Sequence, residues 1–579
     1  MNNRSITLAR VSAALFALML LTLTAPWLPA QQMSIVNSLH NLSASSPATI
    51  RAASEEQVCI FCHTPHHASS VRPLWNRQLP TGTYIPYQSN SLKAAPGQPT
   101  GTSKLCLSCH DGTIALGNVL SRPTPIAMVG GVTVLPQGPT NLGIDLSKDH
   151  PISFAYDQTL IQKNPKLKNP TGLDPAVKLD SSHELQCTSC HDPHNNQYGK
   201  FLVMNNAYSQ LCNTCHNQGA TTITAHSNCS TCHQSHNSPS GPYLLKGQTV
   251  TASCTLSPCH NTQSSDLRLN IAADLNRISK HDTNSAVNLP NHVPDNIDCS
   301  DCHEGHTMGN INAAGAPAIS PRLGKIDGIS NLGGRVAPAQ FEYEVCFKCH
   351  ADRPTRVASL IPRVLVQTNL RLQTVSTAIS FHPIQAIGKN TNDVPSLISP
   401  WTPSSMVYCG DCHGSSPSTG RTGPHGSDNT PLLVAACSTA DGTAESYGAY
   451  ALCYTCHQRD SILQDQSFPL HHLHIVDQST PCSVCHDSHG ISSVQGQPAN
   501  NAHLINFDTS VVRREPITGQ IVYTSTGINQ GMCTLLCHGE AHLNRPYGGM
   551  AGTASPLMRR SPAKVPGAAV PVPPARKAP

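Results

Sequence analysis

Two cysteines, a histidine and a second histidine stand at residues 187–194, in the order Cys-Thr-Ser-Cys-His-Asp-Pro-His. The cysteines are about one helical turn apart, so both thiols can form thioethers with one porphyrin edge. His191 then lies under the iron as an axial ligand, which makes this a c-type haem attachment pattern. His194 lies on the same side of that haem as His191. We therefore expect His194 to reach the far face of a neighbouring haem.

The same Cys-x-x-Cys-His pattern occurs ten times along the chain, and two looser versions carry four and three residues between their cysteines. Zinc knuckles or a disulfide framework are the alternatives, but the histidine always directly follows the second cysteine, which favours haem. We therefore predict twelve covalently attached haems c. The predicted attachment cysteines are Cys59 and Cys62, Cys106 and Cys109, Cys187 and Cys190, Cys212 and Cys215, Cys229 and Cys232, Cys254 and Cys259, Cys299 and Cys302, Cys346 and Cys349, Cys409 and Cys412, Cys453 and Cys456, Cys482 and Cys485, and Cys533 and Cys537. The predicted proximal iron ligands are His63, His110, His191, His216, His233, His260, His303, His350, His413, His457, His486 and His538.

These twelve sites, numbered 1–12 in chain order, use 24 of the 25 cysteines and leave Cys437, which we expect to be a free or buried thiol. The sites form six pairs. The first member of a pair usually carries the extra histidine three residues on, and the second member lacks it. Site 9 departs from this rule, since its next histidine is the displaced His425. Both looser sites are second members, which supports their assignment.

A second axial ligand is needed on each iron. The chain has 31 histidines, so 19 remain beside the proximal ones, more than bis-histidine ligation requires. The eight methionines outside the first 30 residues show no placement locked to the repeat, which leaves methionine ligation a minor alternative. We interpret His67, His281 and His472 as surplus. The distal candidates are His40, His66, His150, His183, His194, His226, His236, His292, His306, His382, His425, His471, His474, His489, His503 and His542.

The composition contains few residues that build a protein core. Aromatic residues make up 4% of the chain and charged residues 12%, with 47 prolines and 39 glycines. Such a chain has too little apolar surface for one large core, so the haems must fill the interior. We predict a mostly irregular coil with short α-helices and a few small β-hairpins around an elongated chain of haems. Hairpins are expected near residues 129–132 and across residues 511–523, turning near Thr518 and Gly519.

The order of the motifs predicts the organisation of the chain. Arg4 and Arg10 precede an apolar run over residues 11–23, which predicts a secretory signal in residues 1–30. Haem pair 1 with a long loop is expected over 31–180, pairs 2 and 3 over 181–290, pair 4 over 291–400, and pairs 5 and 6 over 401–544. Residues 545–579 are rich in proline and alanine and are expected to be disordered.

The signal predicts an exported protein, at the outer-membrane surface or outside the cell, with the periplasm as the alternative. The formal charge of +4 does not indicate a nucleic-acid partner. Twenty-four ionised propionates would bring it to about −20 with ferrous iron, or about −8 with ferric iron.

The alternation of the two motif types resembles the doubled-motif multihaem c-type cytochromes. Shorter stretches share the likeness, among them Pro73-Leu-Trp-Asn-Arg77 and His503-Leu-Ile-Asn-Phe507. The resemblance implies low-potential bis-histidine haems and respiratory electron transfer, often across the outer membrane or outside the cell. Partners implied are other cytochromes or redox proteins, an outer-membrane porin or an extracellular metal oxide. Some relatives form filaments.

Two functions follow from these observations. The first is an electron-transfer conduit, which needs closely spaced haems and no open iron. The second is a multihaem reductase of the nitrite, hydroxylamine or tetrathionate kind, which needs at least one five-coordinate haem. No attachment histidine is replaced by lysine and distal candidates outnumber the irons, which favours the conduit over an enzyme. A filament that exchanges a histidine between subunits, with His40 as a candidate, is a third form.

Overall fold

A computed structural model describes residues 35–69, 74–218, 223–283, 297–309, 311–312, 314–353, 359–389, 394–416 and 422–548. The predicted signal and the predicted tail from residue 549 onwards lie outside these residues. Residues 545–547 of that tail belong to a β-strand, so the prediction of disorder was wrong for them, because they pair with the preceding strand. The chain divides into two compact units. The first comprises residues up to 356 together with 407–435, and the second comprises 357–406 together with residues from 436 onwards. Sites 1–9 fall in the first unit and sites 10–12 in the second.

Helices are short because most of them carry only one attachment motif. The histidine after the second cysteine adopts extended backbone angles and ends the helix, as at His191 (φ −123, ψ 136). A four-residue helix is not stable by itself, and side-chain caps support several of them, such as Asp298, which accepts from the Ser300 amide. The α-helices span Gly101–His110, Gln158–Lys163, Cys187–Cys190, Gln210–Cys215, Cys229–Cys232, Val250–Cys254, Ile271–Asp274, Cys299–Cys302, Glu342–His350, Leu370–Thr374, Cys409–Cys412, Ala451–Tyr454, Arg459–Leu463, Cys482–Cys485 and Pro498–Asn501, with a π-helix at Leu473–Asp477.

Strands are mostly two residues long. They are β1 (Phe154–Ala155), β2 (Glu184–Leu185), β3 (Ser279–Lys280), β4 (Gly328–Ile329), β5 (Arg335–Val336), β6 (Ser380–Phe381), β7 (Gly426–Ser427), β8 (Gly490–Ile491), β9 (Val512–Arg513), β10 (Val522–Gly527), β11 (Gln530–Cys537) and β12 (Glu540–Tyr547). Antiparallel pairs join β1 to β2, β3 to β7, β4 to β5 and β6 to β8. The four-stranded sheet runs β10-β11-β12, with β9 also paired to β11.

The protein-derived core is a set of small clusters. The one under the C-terminal sheet contains Val484, Phe507, Val512, Tyr523 and Leu535, and the others are of similar or smaller size. The predicted fold class, irregular coil with short helices and small sheets, is confirmed. Within the described residues, no helix is both long enough and apolar enough to cross a membrane.

Both hairpin predictions were wrong in their pairing. Residues Val129–Gly131 form a 3₁₀ turn with Gly130 at φ +69, and Met128 pairs with distant Ala52. The second prediction has its turn, since the Gly519 amide donates to the Glu515 carbonyl at 2.8 Å. However, β9 and β10 both pair with β11 instead of with each other, because the cysteine-bearing strand offers a longer partner.

Candidate haem sites

The attachment turns share one backbone contact. The amide of the histidine donates to the carbonyl of the first cysteine, as from His191 to Cys187 at 3.0 Å. The looser site 6 keeps this contact, from His260 to Cys254 at 3.2 Å, so its two extra residues bulge out between the cysteines. At sites 3 and 6 the histidine therefore folds back beneath the first cysteine, as haem attachment requires.

A returning loop fixes the ring of the first-member histidine at sites 3, 5, 7, 9 and 11. The loop carbonyl accepts from Nδ1, which must carry the proton because a carbonyl only accepts. Nε2 is left with a free lone pair, the state that binds a metal. The contacts join His191 to Lys200 at 2.9 Å, His233 to Tyr243 at 2.8 Å, His303 to Arg322 at 2.9 Å, His413 to Pro431 at 3.2 Å and His486 to His503 at 2.8 Å.

The loop has a recognisable form in most repeats. A residue at positive φ follows the accepting carbonyl, and two positions later an amide donates to the second cysteine. At site 5 these are Leu244 (φ +52) and Lys246, which donates to the Cys232 carbonyl at 2.9 Å. At site 11 they are Leu504 (φ +63) and Asn506, which donates to Cys485 at 2.9 Å. Each loop thus holds both the imidazole and the attachment turn.

A second imidazole faces the first-member histidine at four sites, and it comes from the following pair. The ring centres are 6.1 Å apart for His63 and His194, 6.1 Å for His191 and His236, 6.0 Å for His233 and His306, and 6.0 Å for His303 and His425. Three of these ring pairs are nearly parallel, within 17°, and the second is tilted by 37°.

Second-member histidines face a ring from upstream in the chain, at steeper angles. The pairs are His110 with His40 at 6.1 Å and 69°, His216 with His150 at 6.2 Å and 83°, His260 with His226 at 6.2 Å and 83°, and His350 with His281 at 6.3 Å and 53°. His281, interpreted from the sequence as surplus, therefore occupies the position of a distal ligand.

The ring spacing fits an iron between the two imidazoles. A transition metal lies about 2 Å from the imidazole nitrogen that binds it, and that nitrogen lies about 1 Å from the ring centre, so two rings on opposite sides of one metal have centres about 6 Å apart. Bare imidazoles in contact would approach closer than this. Burial, with the neighbouring His216, lowers the pKa of His150 to about 4, which keeps the ring neutral as ligation requires.

Space for a large group accompanies the rings. One continuous cavity of about 4300 Å³ in the first unit is lined by the cysteines and proximal histidines of sites 1–7. Ligand pockets for one small molecule measure about 300–1,000 Å³. The cavity and the donor set therefore fit a row of several haems, which would supply reversible one-electron chemistry when bound.

Sulfur contacts place the sites in chain order. Between consecutive pairs, the first cysteines lie close together, and the first cysteine of the next pair raises the pKa of the preceding one: Cys187 that of Cys106, Cys229 that of Cys212, Cys299 that of Cys254, and Cys409 that of Cys346. Within a pair, the second cysteines are close. Burial, and then the neighbouring Cys109, raises the pKa of Cys62 to about 12, and Cys215 acts in the same way on Cys190. Sites 1–9 thus follow one another without a gap.

In the second unit, a second histidine also lies close to the proximal histidine at two sites. His486 faces His471 with ring centres 6.4 Å apart. His457 lies near His382. Burial of His457 and, to a smaller extent, the charge of His382 lower the pKa of His457 to about 4. The Nδ1 atoms of these histidines are held as in the first unit, for example His382 by the Ser488 carbonyl at 2.7 Å.

Site 12 does not fit a haem as the other sites do. Cys533 and Cys537 lie on strand β11, where residues four apart are separated by roughly 13 Å, against about 5–6 Å for residues one helical turn apart. His538 lies in the two-residue turn between β11 and β12, at φ +50. Its Nε2 contacts Asp441 at 3.0 Å. The expectation that a short helix or turn carries each attachment site is therefore wrong here, because the strand pairing of the last 20 described residues prevails.

Other predicted distal ligands lie elsewhere. Among the described residues, the exposed His66 and His183 face no histidine ring. His503 offers its backbone carbonyl to His486. His542 on β12 lies near His474, and burial, with that neighbour, lowers the pKa of His542. His292 lies outside the described residues. The distal ligand of His413 and the role of His489 remain predictions.

Residues 182–221 match the family model described as the doubled CXXCH motif. The match covers sites 3 and 4 and begins just before Cys187. The chain carries the doubled motif of the multihaem c-type cytochromes. The sequence-based recognition is confirmed on this segment, and the covalent haem c that it implies agrees with the paired imidazoles around it. Among curated proteins, no sequence matches this chain.

Proposed function

We propose that this multihaem cytochrome is an electron conduit, in which haems at consecutive sites pass electrons along the chain without binding a substrate. One observation carries the proposal: at each of sites 1–8 a second imidazole faces the proximal one at 6.0–6.3 Å. An iron with both axial positions filled exchanges electrons without ligand exchange.

The spacing of the sites supports transfer between neighbours. Adjacent cysteine sulfurs bring the attachment edges of successive haems together, both within pairs and between them. The protein itself adjusts each haem through its axial ligands, burial and hydrogen bonds. Sequence predicts twelve haems. We assign haem to sites 1–11, and site 12 stays a sequence prediction.

The residues around each iron have separate roles. The proximal histidines and their facing partners would hold the iron, and the loop carbonyls keep the Nδ1 proton in place. His236 instead donates to the buried Asp149 at 3.1 Å, and His306 to Glu304 at 3.0 Å. Carboxylate acceptors strengthen the imidazole as a donor to iron, so we expect these two haems to favour the ferric state.

We further propose that the protein is exported and acts at the outer-membrane surface or outside the cell. Its partners would be other cytochromes or redox proteins, a porin or an extracellular metal oxide. The sequence supports this proposal through the predicted signal and the resemblance to exported relatives. Self-assembly into filaments would be one arrangement of the same conduit.

The decisive experiment combines low-temperature electron paramagnetic resonance on the oxidised protein with a chemical haem count on the same sample. The conduit requires low-spin signals alone. The reduced protein should then be oxidised by soluble ferric complexes at a rate that cyanide does not change, because no iron offers it a position. A stoichiometric high-spin signal, together with cyanide-sensitive reduction of nitrite, hydroxylamine or tetrathionate, would replace the conduit with a reductase.

A further inference from the structure

Two consecutive buried residues, Asn76 and Arg77, connect the attachment turns of pair 1. The Asn76 amide donates to the Cys62 carbonyl at 2.9 Å, and its side-chain nitrogen donates to the Ile60 carbonyl at 2.6 Å. Both contacts lie on the turn of site 1. Asn76 and Arg77 are each 0% exposed, so the pair is closed off from water.

Arg77 extends from that turn to site 2. Its guanidinium donates to the carbonyl of Ser108 at 3.1 Å, Ala115 at 3.0 Å and Leu116 at 2.8 Å. Ser108 directly precedes the second cysteine of site 2. A guanidinium stays protonated in proteins, so a permanent positive charge lies between the two attachment turns.

The charge of Arg77 has only partial compensation. Its three hydrogen-bond acceptors are neutral carbonyls, and among the described residues no carboxylate lies within ion-pair distance of it. The nearby carboxylate is Asp111, which is buried and accepts from the Tyr84 hydroxyl at 2.6 Å. Asp111 follows the proximal histidine of site 2. Its charge therefore opposes Arg77 at site 2 and leaves Arg77 unopposed at site 1.

We propose that Arg77 raises the reduction potential of the site 1 haem above that of the site 2 haem and so makes this end of the row the point where electrons collect and leave. This inference rests on the proposed conduit. Each step moves one electron: the iron of site 1 goes from ferric to ferrous while the neighbouring ferrous iron becomes ferric. A fixed positive charge stabilises the ferrous state, which carries one positive charge fewer.

The size of the effect follows from Coulomb's law. A unit charge about 10 Å from the iron, at an effective dielectric constant of about 20, changes the ferrous-to-ferric ratio at a set potential by roughly tenfold. For a one-electron couple, tenfold corresponds to 59 mV. Site 1 is also the first site of the row, so a redox partner that docks at this end meets the haem that holds the electron.

The test is a potentiometric titration of the full haem-loaded protein, followed by absorption. Arg77→Met should lower the potential of the site 1 haem, so that its ferrous-to-ferric ratio at a set potential falls about tenfold. Arg77→Lys, which keeps the charge, should lower this potential much less. Asp111→Asn should raise the potential of the site 2 haem and leave that of the site 1 haem nearly unchanged, because Arg77 is then unopposed at site 2 as well. This variant leaves the hydrogen bonds of Arg77 intact, so it tests the effect of the Arg77 charge even if Arg77→Met fails to fold. Asn76→Ser, which weakens the clamp but keeps the charge, is the matched control.

Superimposable titrations of wild type and Asp111→Asn would overturn the proposal, as would equal shifts in Asn76→Ser and Arg77→Met. These shifts are independent of the proposed conduit, whose failure would appear as a high-spin signal or inhibition by cyanide.

Discussion

Replacing His236 by alanine should open the iron of site 3, although His236 stands three residues after the proximal histidine of site 5. The structure places the His236 ring 6.1 Å from His191. His233 is instead faced by His306 at 6.0 Å. The variant therefore loses one axial ligand on one haem, and all other ring pairs keep theirs.

The expected size is one open haem per chain, about one in twelve if every predicted site is loaded. Oxidised His236→Ala should show one high-spin iron by electron paramagnetic resonance, and the reduced variant should bind one carbon monoxide per chain. The matched control is His66→Ala, which changes the same motif position at site 1. His66 is exposed and faces no ring in the part of the chain that the structure describes, so this control should bind no carbon monoxide.

A third variant shows which haem has opened. Adding Cys187→Ser and Cys190→Ser to His236→Ala removes the haem of site 3 and with it the carbon monoxide site. If the triple variant still binds one carbon monoxide, His236 belongs to its own site and the crossed arrangement is refuted. Binding by His66→Ala would equally contradict the geometry.

Four further outcomes are expected. Alkylation of the unfolded, haem-loaded protein should label three thiols, Cys437, Cys533 and Cys537, because β11 holds the last two too far apart for one haem. An intact mass that corresponds to twelve haems and one labelled thiol would contradict this prediction. Asp149→Asn should raise the potential of the site 3 haem, because an amide accepts the His236 Nδ1 proton more weakly than a carboxylate; a redox titration against His66→Ala checks it. Arg363→Ala should lower the free energy of unfolding of the second unit by about 2–5 kcal/mol, because the Arg363 side chain is only 7% exposed and its guanidinium donates to the carbonyls of Ser483, His486 and Asn506. An unchanged midpoint in denaturant unfolding would refute this stabilising role of Arg363. Chain produced without haem attachment should be unfolded, given its small apolar clusters, and compact protease-resistant apoprotein would argue against a haem-filled interior.

Sequence alone predicted the attachment turns because the motif is local. A cysteine, two residues, a cysteine and a histidine define one turn wherever they occur. The reach of His194 to a neighbouring haem was also predictable, since a histidine three residues on cannot turn back to its own iron. The displaced His425 was predicted as a distal candidate, and the structure shows what positions it: β7, which begins at Gly426, pairs with β3.

The remaining ligand positions depend on contacts between distant residues. His281 carries no motif, yet Lys280 pairs with Gly426 and the His281 Nδ1 atom donates to the Pro424 carbonyl at 2.8 Å, which brings it opposite His350. The number of residues between a histidine and the returning loop that holds it varies from site to site. In sequence such a loop is marked only by two adjacent apolar residues, the first of which adopts a positive φ, and this pattern is too common to identify the loop. At site 12 the two cysteines lie in an extended strand and not in a turn, because β10 and β12 pair with β11 on its two sides.

The origin of the facing rings has a consequence for how the protein is made. Each first-member histidine of sites 1, 3, 5 and 7 receives its partner from the next pair along the chain. Because synthesis proceeds from the N-terminus, each of these irons stays one ligand short until the following pair has emerged and folded. A chain that stopped after a first-member site, with its haem attached, would therefore carry an open iron that can bind oxygen or other small ligands. The following pair would fill that open position, because the ligand it supplies always lies further towards the C-terminus than the iron it binds.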